Sequence, residues 1–216
     1  MRPPRALWVP YELGRPLGSP NDPALQRAVL MATLELLVAE GGPSLITDFD
    51  REAAPEEDWQ SAFETERVYP WPDDPSAQGR LLVAEFHRML TWRQRAKAKL
   101  GRTTVGLARL AEETIVDHIT DAYEAIASGK ELPVSPIRGL HRMQALRFSI
   151  DDLKACYMEV AAVGDGRPSS RHINEWFWQQ TVAGQILFAL RETCMRNENN
   201  VVRVTGEDSL IPEEYL

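Results

Sequence analysis

The first forty residues read as one strand, one Gly/Pro-rich loop and one helix, and the rest of the chain supplies almost no other strands. Ala6 to Val9 is a short apolar run, Gly14 to Pro23 is turn chemistry, and Pro23 to Glu40 has helical periodicity. Asp22 followed by Pro23 predicts an N-cap with proline at the first helical position, where its missing N–H costs nothing. A lone βα element cannot pair its own strand edges, so this protein or a partner must cover them.

With 216 residues the chain is long enough for one good core, or for a core with a small appendage. A net charge of −8 argues against a nucleic-acid surface, which rests on clustered Lys and Arg. The densest basic run, Arg93 to Lys99 with Arg88 and Arg102, reads as the solvated face of a helix. Two cysteines, Cys156 and Cys194, are too few for a disulfide framework. Both fall in helical patterns and read as small buried hydrophobes in a reducing compartment; a redox pair across helices is the alternative. The N-terminus lacks the apolar region of a signal peptide, and no apolar run is long enough to span a bilayer. The expected setting is the cytoplasm, with no membrane and no nucleic acid as partner.

Gly41-Gly42-Pro43 stops the first helix, and Ser44 to Phe49 offers a second strand. Residues 43–78 read as an acidic connector, since Val68 to Pro75 holds too many prolines for regular structure. Its Trp59, Phe63, Tyr69 and Trp71 either pin it to the bulk or line a ligand cleft. Residues 79–198 then carry long amphipathic patterns. Leu82, Phe86, Met89, Ala96 and Leu100 form one stripe; Leu107, Ala111, Ile115, His118, Ala122 and Ile126 form a second, stopped at Ser128-Gly129. Met143, Leu146, Ile150, Leu153, Tyr157 and Val160 form a third. The fourth, capped by Ser169 or Ser170, runs through Ile173, Trp176, Gln180, Ala183, Leu187, Leu190 and Cys194. In the tail, 199–216, Val201 to Val204 is strand-like and is expected to pair with the N-terminal strand.

Few residues match chemistry by spacing. There is no Gly-x-Ser-x-Gly, His-Glu-x-x-His or Cys-x-x-Cys, and the Gly14/Gly18 loop lacks the phosphate-cradling pattern. A loop that leaves a strand and enters a helix N-terminus still offers an anion site, with Arg15 and Asn21 as its ligands. Among the histidines, His118 lies within its helix's stripe and His87 one step off its own. With Asp117, they form the candidate set for a divalent metal between facing helices. The alternative is a buried histidine bonded to a carbonyl or carboxylate. Trp176-Phe177-Trp178 covers more than one helix face: Trp176 is core by spacing, while Phe177 and Trp178 are expected to pack either on the connector or on another subunit, a protein partner or a second copy.

Pro3-Pro4-Arg5-Ala6-Leu7, with Leu13 to Pro23 and Ala24-Leu25-Gln26-Arg27, resembles the C-terminal part of the glycine/sarcosine/betaine and D-proline reductase B-component family. The resemblance spans about residues 2–40. It implies that residues 1–42 are the end of a doubly wound domain, whose selenocysteine or cysteine carries out reductive cleavage. In the family that residue lies upstream of the matching segment, so none is assigned in this chain.

The expected architecture is mostly α: a four-helix up-down bundle with an N-terminal βα element and a small β-sheet. Two functional readings follow. The chain is an accessory, partner-dependent subunit related to the reductase B-component but without its redox-active residue. Alternatively, it is a stand-alone bundle that binds a metal or small molecule near His87 and His118.

Overall fold

The computed structural model describes residues 4–11, 16–18, 22–41, 44–51, 59–164, 168 and 170–215. The chain divides into two compact units, 1–57 and 58–216. It is mostly helical, with one small parallel sheet in the first unit.

In the first unit, strand β1 (Arg5–Trp8) pairs in parallel with strand β2 (Leu45–Asp48), Arg5 opposite Leu45 and Trp8 opposite Asp48. Helix α1 (Pro23–Glu35) joins them, because parallel neighbours need a crossover connection. Asp22 caps α1 by accepting the Leu25 N–H at 2.9 Å, ahead of Pro23. The helix is shorter than the pattern to Glu40 predicts, and Leu36 to Val38 form a turn. Leu25 and Val29 of the helix and Leu36 of the turn are buried.

In the second unit, Asp74 caps helix α2 (Pro75–Leu100) on the N–H groups of Ser76 and Ala77, and Gly101 ends it at φ 65°. Helix α3 (Ile115–Ser128) ends the same way at Gly129. His141 starts helix α4 (Arg142–Ala161), its ring accepting the Met143 N–H. Helices α5 (Ser170–Gln180), α6 (Val182–Met195) and α7 (Asn200–Asp208) follow. α2 packs against α3, α4 and α6, while α6 also packs against α5 and α7. Leu82, Phe86, Ile119, Leu146, Ile150, Leu153, Ile186 and Leu187 form the heart of the core, each fully buried.

Three expectations are corrected. Leu107 and Ala111 are not helical: residues 101–111 form a loop, and only a short 3-10 turn, Glu112–Thr114, precedes α3. Gly106 at φ 137° and Arg109 at φ 55° lie outside helical backbone, and Asp152 on α4 takes the N–H groups of Gly106, Leu107 and Ala108 at 2.8–3.0 Å. The fourth pattern is two helices. Thr181 is extended, and its hydroxyl accepts the Gly184 N–H at 2.9 Å, capping a new helix. Finally, Val201 to Val204 are helical. Asn199 caps α7, Val202 is buried, and Gly206 sits against Cys194, so packing overrides the strand propensity of the valines. The N-terminal strand pairs with β2 instead.

Candidate functional site

Of the residues singled out by sequence, Arg15 and Asn21 lie outside the described residues. His87 and Asp117 are exposed on α2 and α3. His118 is half-buried, with its Nδ1 2.9 Å from the Ser149 hydroxyl. That hydroxyl has one proton, and it lies 3.1 Å from the Ala145 carbonyl as a donor. Ser149 therefore accepts from His118, which assigns the imidazole proton to Nδ1. Burial lowers the His118 pKa, with Asp121 opposing the shift. Among the described residues, no group of three or more His, Cys, Asp and Glu side chains is placed to hold a metal ion.

The buried charges of the second unit hold helices and loops in place. Glu85, on α2, accepts the N–H groups of Val182 and Ala183 at 3.0 and 3.1 Å and the Tyr157 hydroxyl at 2.8 Å. A carboxylate at a helix N-terminus complements the exposed N–H groups and the dipole there. Arg93 is fully buried. It binds Glu159 and Thr103 and reaches Glu112 at 3.2 Å. Glu159 also accepts the Thr104 N–H at 2.6 Å, so α2, α4 and the 101–111 loop share one ionic cluster. Cys156 and Cys194 are buried, and burial pushes both thiols up to about 12, against the opposing pull of Arg93 on Cys156, which leaves them poor nucleophiles.

Two features of these units are not accounted for by folding. The first is apolar surface in the N-terminal unit. Leu30, Met31 and Leu34 on α1 are about half exposed, and Leu37 and Val38 in the following turn are 71% and 84% exposed. Trp8 on β1 and Ile46 on β2 are exposed too. Among the described residues, the sheet has no third strand, so each strand keeps one unpaired edge. The helical periodicity was legible in sequence, but its second apolar face, Leu30, Leu34 and Leu37, was not separated from the inner one. The signal was there, since α1 is apolar on more than one side.

The second feature is a cleft of about 430 Å³ in the helical unit, between the 59–65 segment and α5. Trp59 stacks on His172 with ring centroids 6.5 Å apart and meets Trp176 edge-on at 6.3 Å. Of the connector aromatics, Trp59 and Phe63 line this cleft and Phe63 is also part of the core. Tyr69 is exposed, and Trp71 packs against the core. Trp176, Phe177 and Trp178 are all buried, within a run of ring contacts that reaches Tyr157, Phe188 and Tyr215.

No helix among the described residues is long and apolar enough to cross a membrane. The chain matches no protein-family model, no curated protein and no solved structure.

Proposed function

We propose that the chain is an accessory subunit whose N-terminal βαβ unit adds its two strands to the doubly wound sheet of another protein. The observation that carries this reading lies in the first unit: among the described residues its sheet is a single parallel pair, beside the exposed Leu30, Leu34 and Leu37. Parallel sheets are otherwise found with both faces covered and with more strands, because an isolated pair buries too little to be stable. Exposed apolar area of this kind marks an association surface. The parallel register selects the occupant, since a doubly wound domain ends in a parallel edge that the unit can extend. The resemblance of residues 2–40 to the reductase B-component family supports the same occupant, a partner that bears the reactive selenocysteine or cysteine.

The test is a double substitution, Leu34→Asp with Leu37→Asp, in the full chain. The complex isolated with the wild-type chain is expected to be lost, while the helical unit keeps its circular dichroism. A complex that survives the double substitution contradicts the reading.

A further inference from the structure

Charge is segregated on the surface of the helical unit. α2 carries six Lys and Arg residues, and its one acid, Glu85, is buried. Arg88 and Arg95 are exposed two turns apart on the outer face of α2, and Arg102 follows just past the helix end. None of these three makes a salt bridge among the described residues; Arg88 and Arg95 lie over the Phe63 and Trp92 rings instead.

The neighbouring helix has the opposite character. From Glu112 to Ser128 there is no Lys or Arg. Glu113, in the turn before α3, and Asp117, Asp121 and Glu124, along it, are exposed at three- and four-residue spacing. They too make no salt bridge among the described residues. A solvated surface ordinarily mixes the two signs, and like charges at these spacings destabilise a helix. The acidic stripe is therefore unfavourable in the isolated chain and is relieved by a basic one.

The two helices also match in level. They run side by side and antiparallel: Tyr123 donates to Gln78 at 2.6 Å near one end, and Lys97 pairs with Glu112 at 2.6 Å near the other. Arg95 is thus level with Glu113, and Arg88 with Asp117. A twofold axis parallel to the helices keeps these levels and lays α2 of one copy across α3 of the other, and an isologous contact makes every such pair twice. The twofold that lays α2 on α2 opposes like charges. A nucleic acid on the basic stripe would run beside the α3 carboxylates, which disfavours that occupant.

From this complementarity we infer that the α2–α3 face is an interface for a second copy of the chain, with Arg88 and Arg95 of one protomer against Asp117 and Glu113 of the other. Exposed ion pairs are individually weak and screened by salt, so the dimer is one that salt dissolves. The interface lies wholly in the helical unit and does not rest on the docking surface of the first unit.

The experiment is sedimentation velocity on the full chain at low and high salt, about 50 and about 500 mM NaCl. The expected result is a dimer at low salt, with a dissociation constant at least about tenfold higher at high salt. Arg88→Glu with Arg95→Glu, and separately Asp117→Lys with Asp121→Lys, are each expected to be monomeric at low salt, because each then opposes like charges. Mixed, the two variants are expected to form a dimer with one chain of each: the acidic α2 of the first meets the basic α3 of the second, and the reverse contact is matched equally. Leu34→Asp with Leu37→Asp is expected to leave this dimer intact, so the inference and the docking reading fail separately. The salt series on the wild-type chain decides the matter if either charge variant fails to fold. A chain that is monomeric at low salt, a dimer indifferent to salt, or variants that stay helical by circular dichroism and do not combine overturns the inference. So does a monomeric chain that retards a DNA or RNA oligonucleotide.

Discussion

The Tyr157 hydroxyl donates to Glu85 Oε1 at 2.8 Å, tying α4 to α2 at a point where both side chains are fully buried. Through the N–H groups of Val182 and Ala183, the same carboxylate fixes where α6 begins. Glu85→Ala strands the Tyr157 hydroxyl and two backbone donors, and is expected to cost about 3 kcal/mol in a urea melt. Glu85→Gln keeps an acceptor and is expected to cost less.

The same residue gives a pH dependence. Burial raises the Glu85 pKa, and the hydrogen bonds from Val182, Tyr157 and Ala183 only partly offset it. The folded state therefore binds this proton more tightly than the unfolded chain does. Its contribution is full below the ordinary glutamate range and is lost as pH rises through the raised folded value. Melts across that window are expected to show this slope in the wild type and not in Glu85→Gln, which cannot ionise.

Glu159 runs the other way. Burial acts to raise its pKa, but the Thr104 N–H and hydroxyl and the Arg93 guanidinium outweigh it, so the net shift is downward. Its contribution is present above the ordinary glutamate range and is lost as pH falls through the depressed folded value. Arg93→Met leaves Glu159 and Glu112 without their shared buried cation, and about 3–5 kcal/mol of stability is expected to go with it. Acid sensitivity that is unchanged in Glu159→Gln contradicts this account.

Gly184 is the contact that lets α5 and α6 meet at Thr181. A Cβ built there falls 2.4 Å from the Phe177 carbonyl oxygen and 3.0 Å from that of Trp178, both backbone atoms that cannot swing away. Gly184→Ala is therefore expected to destabilise the chain by more than about 2 kcal/mol, measured by thermal or urea unfolding. A neutral substitution shows that the α5–α6 junction is looser than described.

Some of this was legible in sequence, and the reasons differ by element. α2 and α4 were readable because their buried residues recur at three- and four-residue spacing, whereas the start of α2 at Asp74-Pro75 falls inside the stretch read as connector. The Asp22-Pro23 cap and the strand at 44–49 were readable from turn chemistry alone. The break at Thr181 was not, because Trp176, Gln180, Ala183 and Leu187 keep helical spacing straight across it. The tail misled because Val201, Val202 and Val204 favour strands in isolation, whereas their environment against α6 is set by tertiary packing. The roles of Glu85, Asp152 and Glu159 depend on backbone groups far away in sequence, which no local pattern carries. The connector aromatics Trp59, Phe63, Tyr69 and Trp71 were visible in sequence, but which of them pack on the core depends on tertiary contacts: Trp59, Phe63 and Trp71 do, and Tyr69 is exposed.

The measurement that bears most directly on the function is native mass spectrometry of the full chain, purified gently from its own host, with the partner identified by sequence. The account predicts a stoichiometric complex with a chain that holds a doubly wound domain and a reactive cysteine or selenocysteine, absent for the Leu34→Asp, Leu37→Asp variant. A lone chain, or a homo-oligomer indifferent to that substitution, contradicts it.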